Sequence, residues 1–540
     1  MSDGPRGRWL VGGALLLLAA GAIVAVWQLP LDALLRDLSC DDSFYYGAIA
    51  RELAVSGRSS FDGIVATNGY HPLWCWLQMP VHWLWQDPEA ALRATRSLEV
   101  CMVCAAALAW LSVLRRGGGH IFAAASLLLA SYFVATRVLF VGMDASASVL
   151  MLGLAARAAV ALVGPRPVGS STEVRVRWAL LLGVLLAGAT FARLDNAAFA
   201  AVATLWFGWL VPVDRDAGHL RRLRIALVAP QVLLLGLYFV GNWWCFESAL
   251  PISGLVKQMW SANAVGDEGF ARWLRRALAL LGHRDVRDGL LFGVAAVLLA
   301  WLRCRGMRTG GGDEHHDGSG EWYGGRALLG VLVSLLALAA AKTCYYAATV
   351  EPELASYSWY FTVGALTKAL ALALLADALL GVRWFAGRRR WHLAALWLVA
   401  GVAIWQAARG MAKHVALVRR TTPDWEMLSF DAATWLAANA PPEARVGSFD
   451  AGVIGYFAPQ PVTNLDGLVQ SRAFYEARHR GEPIDTYLRA ANIEWIANVA
   501  TDLVDLRSKG IETTFEVVHE GPRVRCIDGV ERSLFVLRRR

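Results

Sequence analysis

The stretch Cys40-Asp-Asp-Ser-Phe-Tyr-Tyr-Gly-Ala-Ile-Ala-Arg51 begins shortly after an uninterrupted apolar run at 9–29. Ser56-Gly57 ends the periodic pattern that starts in this stretch. The sequence therefore predicts a short amphipathic helix whose cap or first turn contains two adjacent carboxylates, Asp41 and Asp42. The apolar and aromatic side chains at helical spacing are Phe44, Tyr45, Ala48, Ile49 and Leu53.

The composition is that of a membrane protein. The chain has 540 residues, of which 56% are hydrophobic and only 18% are charged, and 24 of them are tryptophans. A helix of roughly 18 to 25 apolar residues can cross a hydrocarbon core about 30 Å thick. About eleven such windows occur, which predicts a polytopic α-helical membrane protein. The windows are 9–29, 92–114, 120–139, 143–163, 178–192, 196–211, 225–246, 288–303, 327–348, 358–380 and 391–411.

Arginines fall in every second connection between these windows. Because Lys and Arg in short loops stay on the cytoplasmic side, we expect the N-terminus inside and, after an odd number of crossings, the C-terminus outside. The loop with Asp41 and Asp42 and everything after residue 411 then lie on the extracytoplasmic side of the cytoplasmic membrane. The net charge of +8 reflects this topology and does not indicate a nucleic-acid partner.

The chain divides into a membrane part and a soluble part. Residues 1–411 form the membrane domain, whose first outside loop, 30–88, is long and aromatic enough that we expect it to fold. After a linker at 412–423, residues 424–540 have the short apolar segments of a soluble, extracytoplasmic α/β domain. Its predicted helices lie near 424–439, 471–479 and 484–492, and its predicted strands near 445–448, 495–499, 515–519 and 534–537.

The adjacent carboxylates Asp41 and Asp42 have two interpretations. Asp is among the best helix-capping residues, but capping explains only one of the two. Alternatively, one carboxylate points into a cavity and acts as a general base: a helix N-terminus lowers its pKa, so it stays ionised and accepts a proton from an attacking hydroxyl. Paired carboxylates also suit a divalent metal ion, although the sequence identifies neither a metal nor any other cofactor.

Several charged residues lie within or beside the predicted membrane segments. Ionisable groups at membrane depth are costly, so they usually line a cavity or pair with each other. Arg193 and Asp195 are too close in sequence to face each other along one helix, and we expect their partners elsewhere. Cations beside an apolar groove suit a lipid-linked phosphate. The charged residues in question are Asp144, Arg193, Asp195, Lys257 and Lys342.

The first loop resembles that of the GT-C superfamily of glycosyltransferases. The resemblance is carried by the stretch at 40–51 followed by Thr67-Asn-Gly-Tyr-His-Pro-Leu-Trp74. This superfamily includes protein mannosyltransferases, aminoarabinose transferases and mycobacterial arabinofuranosyltransferases. Its members carry an acidic pair in this loop and transfer a sugar from a polyprenyl-phosphate carrier to an acceptor on the outer face of the membrane.

The resemblance also implies roles for individual residues. It makes Asp41 the catalytic base and Asp42 the residue that positions the base or the acceptor. It places Asn68, Tyr70 and His71 among the substrate-binding residues, with His71 where several relatives have a lysine beside the carrier phosphate. The loops of bacterial members that bind substrate look like the segments containing Asp144, Arg193, Asp195 and Lys257.

The expected function is an inverting transfer of a sugar from a polyprenyl-phosphate donor to a hydroxyl of a glycan, lipid or protein, in a membrane lipid environment. The alternative is a secondary transporter or flippase, which would also contain buried charges but should show paired repeats, and none is convincing here. Two segments after probable strands, Gly447-Ser-Phe-Asp450 and Asn464-Leu-Asp-Gly467, are interpreted as ordinary turns in preference to ligand loops.

Overall fold

The computed structural model has a large helical region and a C-terminal α/β domain that packs on the first loop. Both parts of the predicted fold class are thereby confirmed. The structure describes residues 5–116, 132–133, 136–164, 172–211, 216–263, 269–309, 319–350, 358–380, 389–418, 422–511 and 514–540.

The helical region is held together by small and branched apolar side chains, which let neighbouring helices approach closely. Short 3₁₀ turns interrupt it at Arg137–Phe140, Leu194–Asn196 and Ser358–Phe361, and a π turn at Trp206–Leu210. Its helices are Pro5–Gln28, Pro88–Arg116, Ala145–Val163, Thr172–Ala192, Ala197–Leu205, Ala217–Phe246, Ile252–Asn263, Gly269–Gly282, Arg284–Thr309, Ser319–Thr349, Thr362–Leu380 and Arg389–Val418.

Six helices in the described part of the chain are long and apolar enough to cross a membrane, so the protein is a multi-pass membrane protein. The total of eleven crossings and the orientation remain predictions. The window 120–139 lies largely outside the described residues, and the window 196–211 contains a nine-residue helix followed by the π turn. The six helices coincide with the predicted windows 92–114, 143–163, 178–192, 225–246, 327–348 and 358–380.

The first loop is folded, as its length and aromatic content indicated. The predicted amphipathic helix is present as Asp41–Ser56, and it ends where Gly57 adopts a left-handed conformation with φ of 70°. The next helix, Pro72–Leu84, starts with a proline, whose fixed φ suits the first helical position. A shorter helix, Leu31–Leu38, precedes both.

The C-terminal domain is built around a mixed sheet of six strands, which are β1 Val446–Ser448, β2 Val462–Asn464, β3 Trp495–Ala500, β4 Phe515–Glu520, β5 Val524–Arg525 and β6 Glu531–Arg539. The strand order is β2-β1-β3-β6-β4. Strand β1 is parallel to β2 and β3, whereas β6 is antiparallel to β3, β4 and the short β5. The predicted helices and strands are present. Two helices of six residues, Gly452–Phe457 and Leu503–Ser508, and the short strand β5 were not predicted, and β2 was expected only as a probable strand before Asn464. The other helices of the domain are Trp425–Asn439, Arg472–His479 and Ile484–Ala490.

The first loop and the C-terminal domain share one apolar core. Their backbones approach so closely that a Cβ on Gly452 would lie 2.1 Å from the Asp41 carbonyl oxygen, and one on Gly69 would lie 2.0 Å from that of Leu468. Only glycine fits at such contacts. The domain is therefore seated on the loop in a defined position. The shared core includes Leu34, Phe44, Ile49, Leu436, Val446 and Ile454.

Candidate active site

Two adjacent cavities lie where the first loop, the membrane helices and the C-terminal domain meet. The larger has a volume of about 830 Å³ and is lined by the first loop and by the C-terminal domain. The smaller, about 60 Å³, lies against the membrane helices and is lined by His71, Asp144 and Arg193. The two cavities share the lining residues Asp42, Tyr45, Lys257, Tyr360 and Leu468.

The adjacent carboxylates of the first loop have different surroundings. Asp41 is only 4% exposed, and its two oxygens accept the backbone N–H groups of Gly452 at 3.0 Å and Val453 at 2.8 Å. It thus caps a helix of the C-terminal domain. Asp42 is partly exposed and lines both cavities, and no described residue forms a hydrogen bond or ion pair with its carboxylate.

Burial raises the pKa of Asp41 to about 7, and the neighbouring Asp450 carboxylate adds to this shift. The backbone N–H donors of Gly452 and Val453 oppose it but do not offset it. The expectation that a helix N-terminus lowers the pKa in the acidic pair is therefore wrong for Asp41. Desolvation outweighs the helix dipole, because the C-terminal domain covers this carboxylate.

A buried ion network lies behind the smaller cavity. The Nη1 atom of Arg193 donates to both oxygens of Asp144, at 2.8 and 3.0 Å. Arg193 also pairs with Asp195, which in turn forms an ion pair with Lys342 Nζ at 3.1 Å. Asp144 and Arg193 line the cavity, whereas Asp195 and Lys342 form a second layer that contacts neither cavity. The structure therefore brings together four predicted site residues from three different segments.

Arg193 and Asp195 pair directly, contrary to the expectation that each finds partners only elsewhere. The helix Thr172–Ala192 ends before Arg193, which is extended with φ of −152°, and a 3₁₀ turn follows. Because these residues lie outside a continuous helix, the two side chains point the same way, and Arg193 Nη2 lies 3.2 Å from Asp195 Oδ2.

His71 extends this network to the first loop, with Nε2 lying 3.3 Å from Asp144 Oδ2. Burial lowers the pKa of His71 to about 4, despite the opposing effect of Asp144. The ring is thus neutral near pH 7, so Nε2–H donates to Asp144 and Nδ1 is an acceptor. His71 therefore brings no positive charge to this site near pH 7.

His71 makes the stability of the protein depend on pH. Its pKa is about 4 when folded and 6.5 when unfolded, so only the unfolded state binds the proton between these values. The contribution of His71 to the free energy of unfolding is fully present above pH 6.5. It decreases by on the order of 3 kcal/mol as the pH falls to 4. Thermal unfolding of the wild type and of His71→Gln, which keeps a donor toward Asp144, should show a smaller acid-induced loss in the variant. Equal losses in both would contradict the assignment.

Lys257 is the cation that faces both cavities. Its Nζ donates to the Tyr360 hydroxyl, and no carboxylate of the described residues pairs with it. Burial alone would lower the pKa of Lys257, but Tyr360 and the Asp42 carboxylate together hold it above its usual value. The ammonium group therefore stays charged and has capacity for a further anion.

The remaining predicted residues lie differently. Tyr70 lines the smaller cavity, and its hydroxyl lies 2.7 Å from Ser59 Oγ. Asn68 lines neither cavity; its amide nitrogen donates to the carbonyl oxygens of Ser248 and Leu250, and its amide oxygen accepts from Ile252 N–H. Asn68 thereby attaches the first loop to the start of the helix that carries Lys257.

The C-terminal domain contributes residues that the sequence did not assign to a site. Asp450 follows β1 and Asp466 follows β2, and both line the larger cavity together with Glu426 and Lys509. Their position after strands was the available signal, but Asp and Asn are also frequent in turns. Within the described ranges, no group of three or more histidine, cysteine, aspartate or glutamate side chains is arranged to hold a metal ion.

Comparison of the sequence with known proteins gives one family. Residues 417–528 match a family described as "Domain of unknown function (DUF8728)". No curated protein sequence matches the chain. The match covers most of the sheet domain and does not extend into the membrane region.

Comparison of the structure with solved structures gives matches that cover most of the chain. The oligosaccharyltransferase of Archaeoglobus fulgidus tethered to an acceptor peptide with the NVT sequon matches with a TM-score of 0.55 at 14% identity, over 90% of this chain and 68% of that one. The same organism's AglB, in complex with an inhibitory peptide and dolichol-phosphate, matches with a TM-score of 0.54 at 13% identity, over 92% and 70%. ArnT from Cupriavidus metallidurans bound to undecaprenyl phosphate matches with a TM-score of 0.47 at 16% identity, over 96% and 97%.

The two matches to the archaeal oligosaccharyltransferase define the class of fold. The chain shares the fold of that protein. The fold implied by the first loop is therefore confirmed.

Proposed function

We propose that this protein is an integral membrane glycosyltransferase that moves a sugar from a polyprenyl-phosphate carrier to an acceptor hydroxyl on the outer face of the cytoplasmic membrane. The observation that carries the proposal is the position of Asp42. This unpartnered carboxylate lies at the junction of a cavity lined by cations and a larger cavity lined by the C-terminal domain. A base between a donor site and an acceptor site is what a single-displacement transfer requires.

The smaller cavity is suited to the phosphate of the donor. Lys257 faces it with an ammonium group that forms an ion pair with no described carboxylate, and the guanidinium of Arg193 is fixed there by Asp144 and Asp195. Charge-assisted hydrogen bonds from such groups are the strong ones for phosphate. The polyprenyl chain would extend into the bilayer beside the helices. An archaeal oligosaccharyltransferase of the same fold has been solved with dolichol-phosphate, which supports a lipid-phosphate donor.

In the proposed reaction the acceptor hydroxyl attacks the anomeric carbon of the donor sugar while Asp42 takes its proton. The new glycosidic bond forms as the bond from the anomeric carbon to the phosphate oxygen breaks, so the configuration at that carbon inverts. The electron pair of the broken bond leaves with the polyprenyl phosphate, and Lys257 stabilises the additional charge. Asp41 positions the C-terminal domain over this centre through Gly452 and Val453.

This assignment exchanges the roles that the resemblance implied for the acidic pair. Asp41 also lines the larger cavity, but it is only 4% exposed and each of its oxygens already accepts a backbone N–H of the C-terminal domain. The carboxylate of Asp42 is accessible from both cavities. Asp42 is therefore the proposed base and Asp41 the positioning residue.

The test is transfer of radiolabelled sugar from a panel of polyprenyl-phosphate sugars, in membranes that contain the protein and in matched membranes that lack it. Donor-dependent product only in the former is expected. If no donor supports transfer but lipid-linked sugar changes leaflets, the secondary transporter or flippase takes the place of this proposal.

Lys257 provides a prediction within the same assay. Lys257→Met removes a cation that faces the donor phosphate, so the KM for the donor should rise about tenfold or more, since hydrogen bonds to charged groups contribute about 1.5–3 kcal/mol. Lys257→Arg keeps the charge and should retain most of the affinity. Equal donor KM values for the wild type and Lys257→Met would remove Lys257 from the donor site.

A further inference from the structure

The loops after β1 and β2 place two carboxylates on the C-terminal side of the larger cavity. Asp450 and Asp466 both line it and are partly exposed toward it. Because β1 and β2 are parallel neighbours, their carboxyl ends lie at the same edge of the sheet, which is a common place for ligand loops. The sequence alone favoured ordinary turns here, but the structure directs both side chains to the cavity that contains Asp42.

These loops are fixed by a side chain of the first loop. The Tyr45 hydroxyl accepts the backbone N–H of Ala451 at 3.3 Å and the amide of Asn464 at 3.1 Å. Asn464 also donates to one oxygen of Asp466 and accepts the N–H of Gly467. The two loops are thus held in register with the helix that carries Asp42. Such prior fixation reduces the entropy that a ligand must overcome on binding.

The cavity holds further polar groups without partners. Glu426 is only 5% exposed and lines the cavity, and its Oε2 has no hydrogen-bond partner among the described residues. Burial raises the pKa of Glu426 to about 9, so its carboxyl group is neutral near pH 7 and can donate a hydrogen bond. No described residue donates a hydrogen bond to the Asp450 side chain either, and Lys509 lines the same side of the cavity. Buried polar groups are normally satisfied, so the unpartnered oxygen of Glu426 indicates a polar ligand.

Aromatic rings line the same space. Trp260 and Trp359 contribute to its wall, close to Lys257 and Tyr360 in the sequence. Sugar rings offer hydroxyls in pairs, each able to donate to a carboxylate oxygen, and apolar C–H faces that pack on aromatic rings. A wall of carboxylates together with tryptophans is therefore chemically matched to a polyhydroxylated ring.

We infer that the acceptor is a glycan, and that Asp450 and Asp466 bind hydroxyls of its terminal sugar so that another hydroxyl of that sugar meets Asp42. The inference rests on the proposed function and narrows its acceptor from glycan, lipid or protein to glycan. A strongly basic peptide is disfavoured because Lys509 and Arg532 line the same cavity as the carboxyl groups and would repel it. A lipid acceptor is disfavoured because carboxylates repel phosphate headgroups.

The experiment measures binding without any donor. The full-length protein in nanodiscs is titrated with fluorescent trisaccharides of mannose, galactose, glucose and arabinose, with a Lys/Arg-rich decapeptide and with an uncharged Ser/Thr decapeptide. At least one trisaccharide should bind the wild type, and Asp450→Asn and Asp466→Asn should each weaken this binding about tenfold, because each replaces a carboxyl group by an amide that has one acceptor oxygen in place of two. The neutral variants also remove repulsion between the neighbouring carboxyl groups, so the free energy of unfolding should not decrease.

The matched control is Glu516→Gln, an exposed residue of β4 that makes the same charge change in the same domain without lining the cavity. It should bind the trisaccharide as the wild type does. Three outcomes would overturn the inference: a peptide binds in place of a glycan, no trisaccharide binds, or the double variant of Asp450 and Asp466 binds the trisaccharide as the wild type does. Because the binding measurement needs no donor, its result is independent of the transfer assay. If the protein transfers sugar but the variants bind the glycan unchanged, only the inference about the acceptor is contradicted. If the glycan binds but no donor supports transfer, the proposed transferase function is contradicted.

Discussion

Replacing Asp42 by asparagine should reduce the rate of sugar transfer by a factor between about 10² and 10⁴, the range for loss of a general base. The amide keeps the shape of the side chain but cannot take the proton of the acceptor hydroxyl. Stability should change little, because no described residue forms a hydrogen bond or ion pair with the Asp42 carboxylate. The measurements are initial transfer rates at saturating donor and the unfolding temperature of the purified protein.

Asp41→Asn is the matched control, since it makes the same chemical change one residue away. An amide has one acceptor oxygen where the carboxylate has two, so either Gly452 N–H or Val453 N–H loses its partner, which costs about 1–3 kcal/mol. This variant should unfold at a lower temperature and lose transfer in proportion to the loss of domain docking. If instead Asp41→Asn abolishes transfer without a change in stability while Asp42→Asn remains active, the base is Asp41, as the resemblance implied.

The sequence predicted those parts of the fold that depend on local patterns. The periodicity of Phe44, Tyr45, Ala48, Ile49 and Leu53 and the terminating Gly57 gave the helix Asp41–Ser56. The apolar windows gave the long helices, because hydrophobic length alone decides whether a helix can cross a bilayer. Membrane-depth charges were expected to pair or line a cavity, and Asp144, Arg193, Asp195 and Lys342 do form one network.

Features that depend on contacts between distant segments could not be predicted in this way. The partners of Asp41 lie more than 400 residues away, in a six-residue helix too short to have a periodic pattern. The pairing of Arg193 with Asp195 depends on a 3₁₀ turn that starts where the preceding helix ends, and helix spacing rules assume a continuous helix. The segments containing Asp450 and Asp466 were interpreted as ordinary turns, because only the structure shows that both residues line the cavity.

Arg193→Met should have the largest effect on folding. Arg193 is almost fully buried, and its removal leaves Asp144 as a buried charge with only the neutral His71 beside it. Breaking a buried pair by removing one partner costs about 3–5 kcal/mol, mostly because the remaining charge is uncompensated. The loss of Arg193 leaves the charge of Asp195 partly compensated, because Lys342 still pairs with it. We expect a markedly lower unfolding temperature, a smaller yield of monodisperse protein in detergent and no measurable transfer.

A second substitution separates the structural role of Arg193 from its role at the donor phosphate. In the double variant Arg193→Met with Asp144→Asn, the unpaired carboxylate is replaced by a neutral amide that can still accept from His71 Nε2. Since the uncompensated charge is the main cost, the double variant should recover most of the lost stability. Transfer should stay low, because the guanidinium that faces the donor phosphate is still missing. Recovery of both stability and transfer would mean that Arg193 serves only to neutralise Asp144, and the donor phosphate would then depend on Lys257 alone.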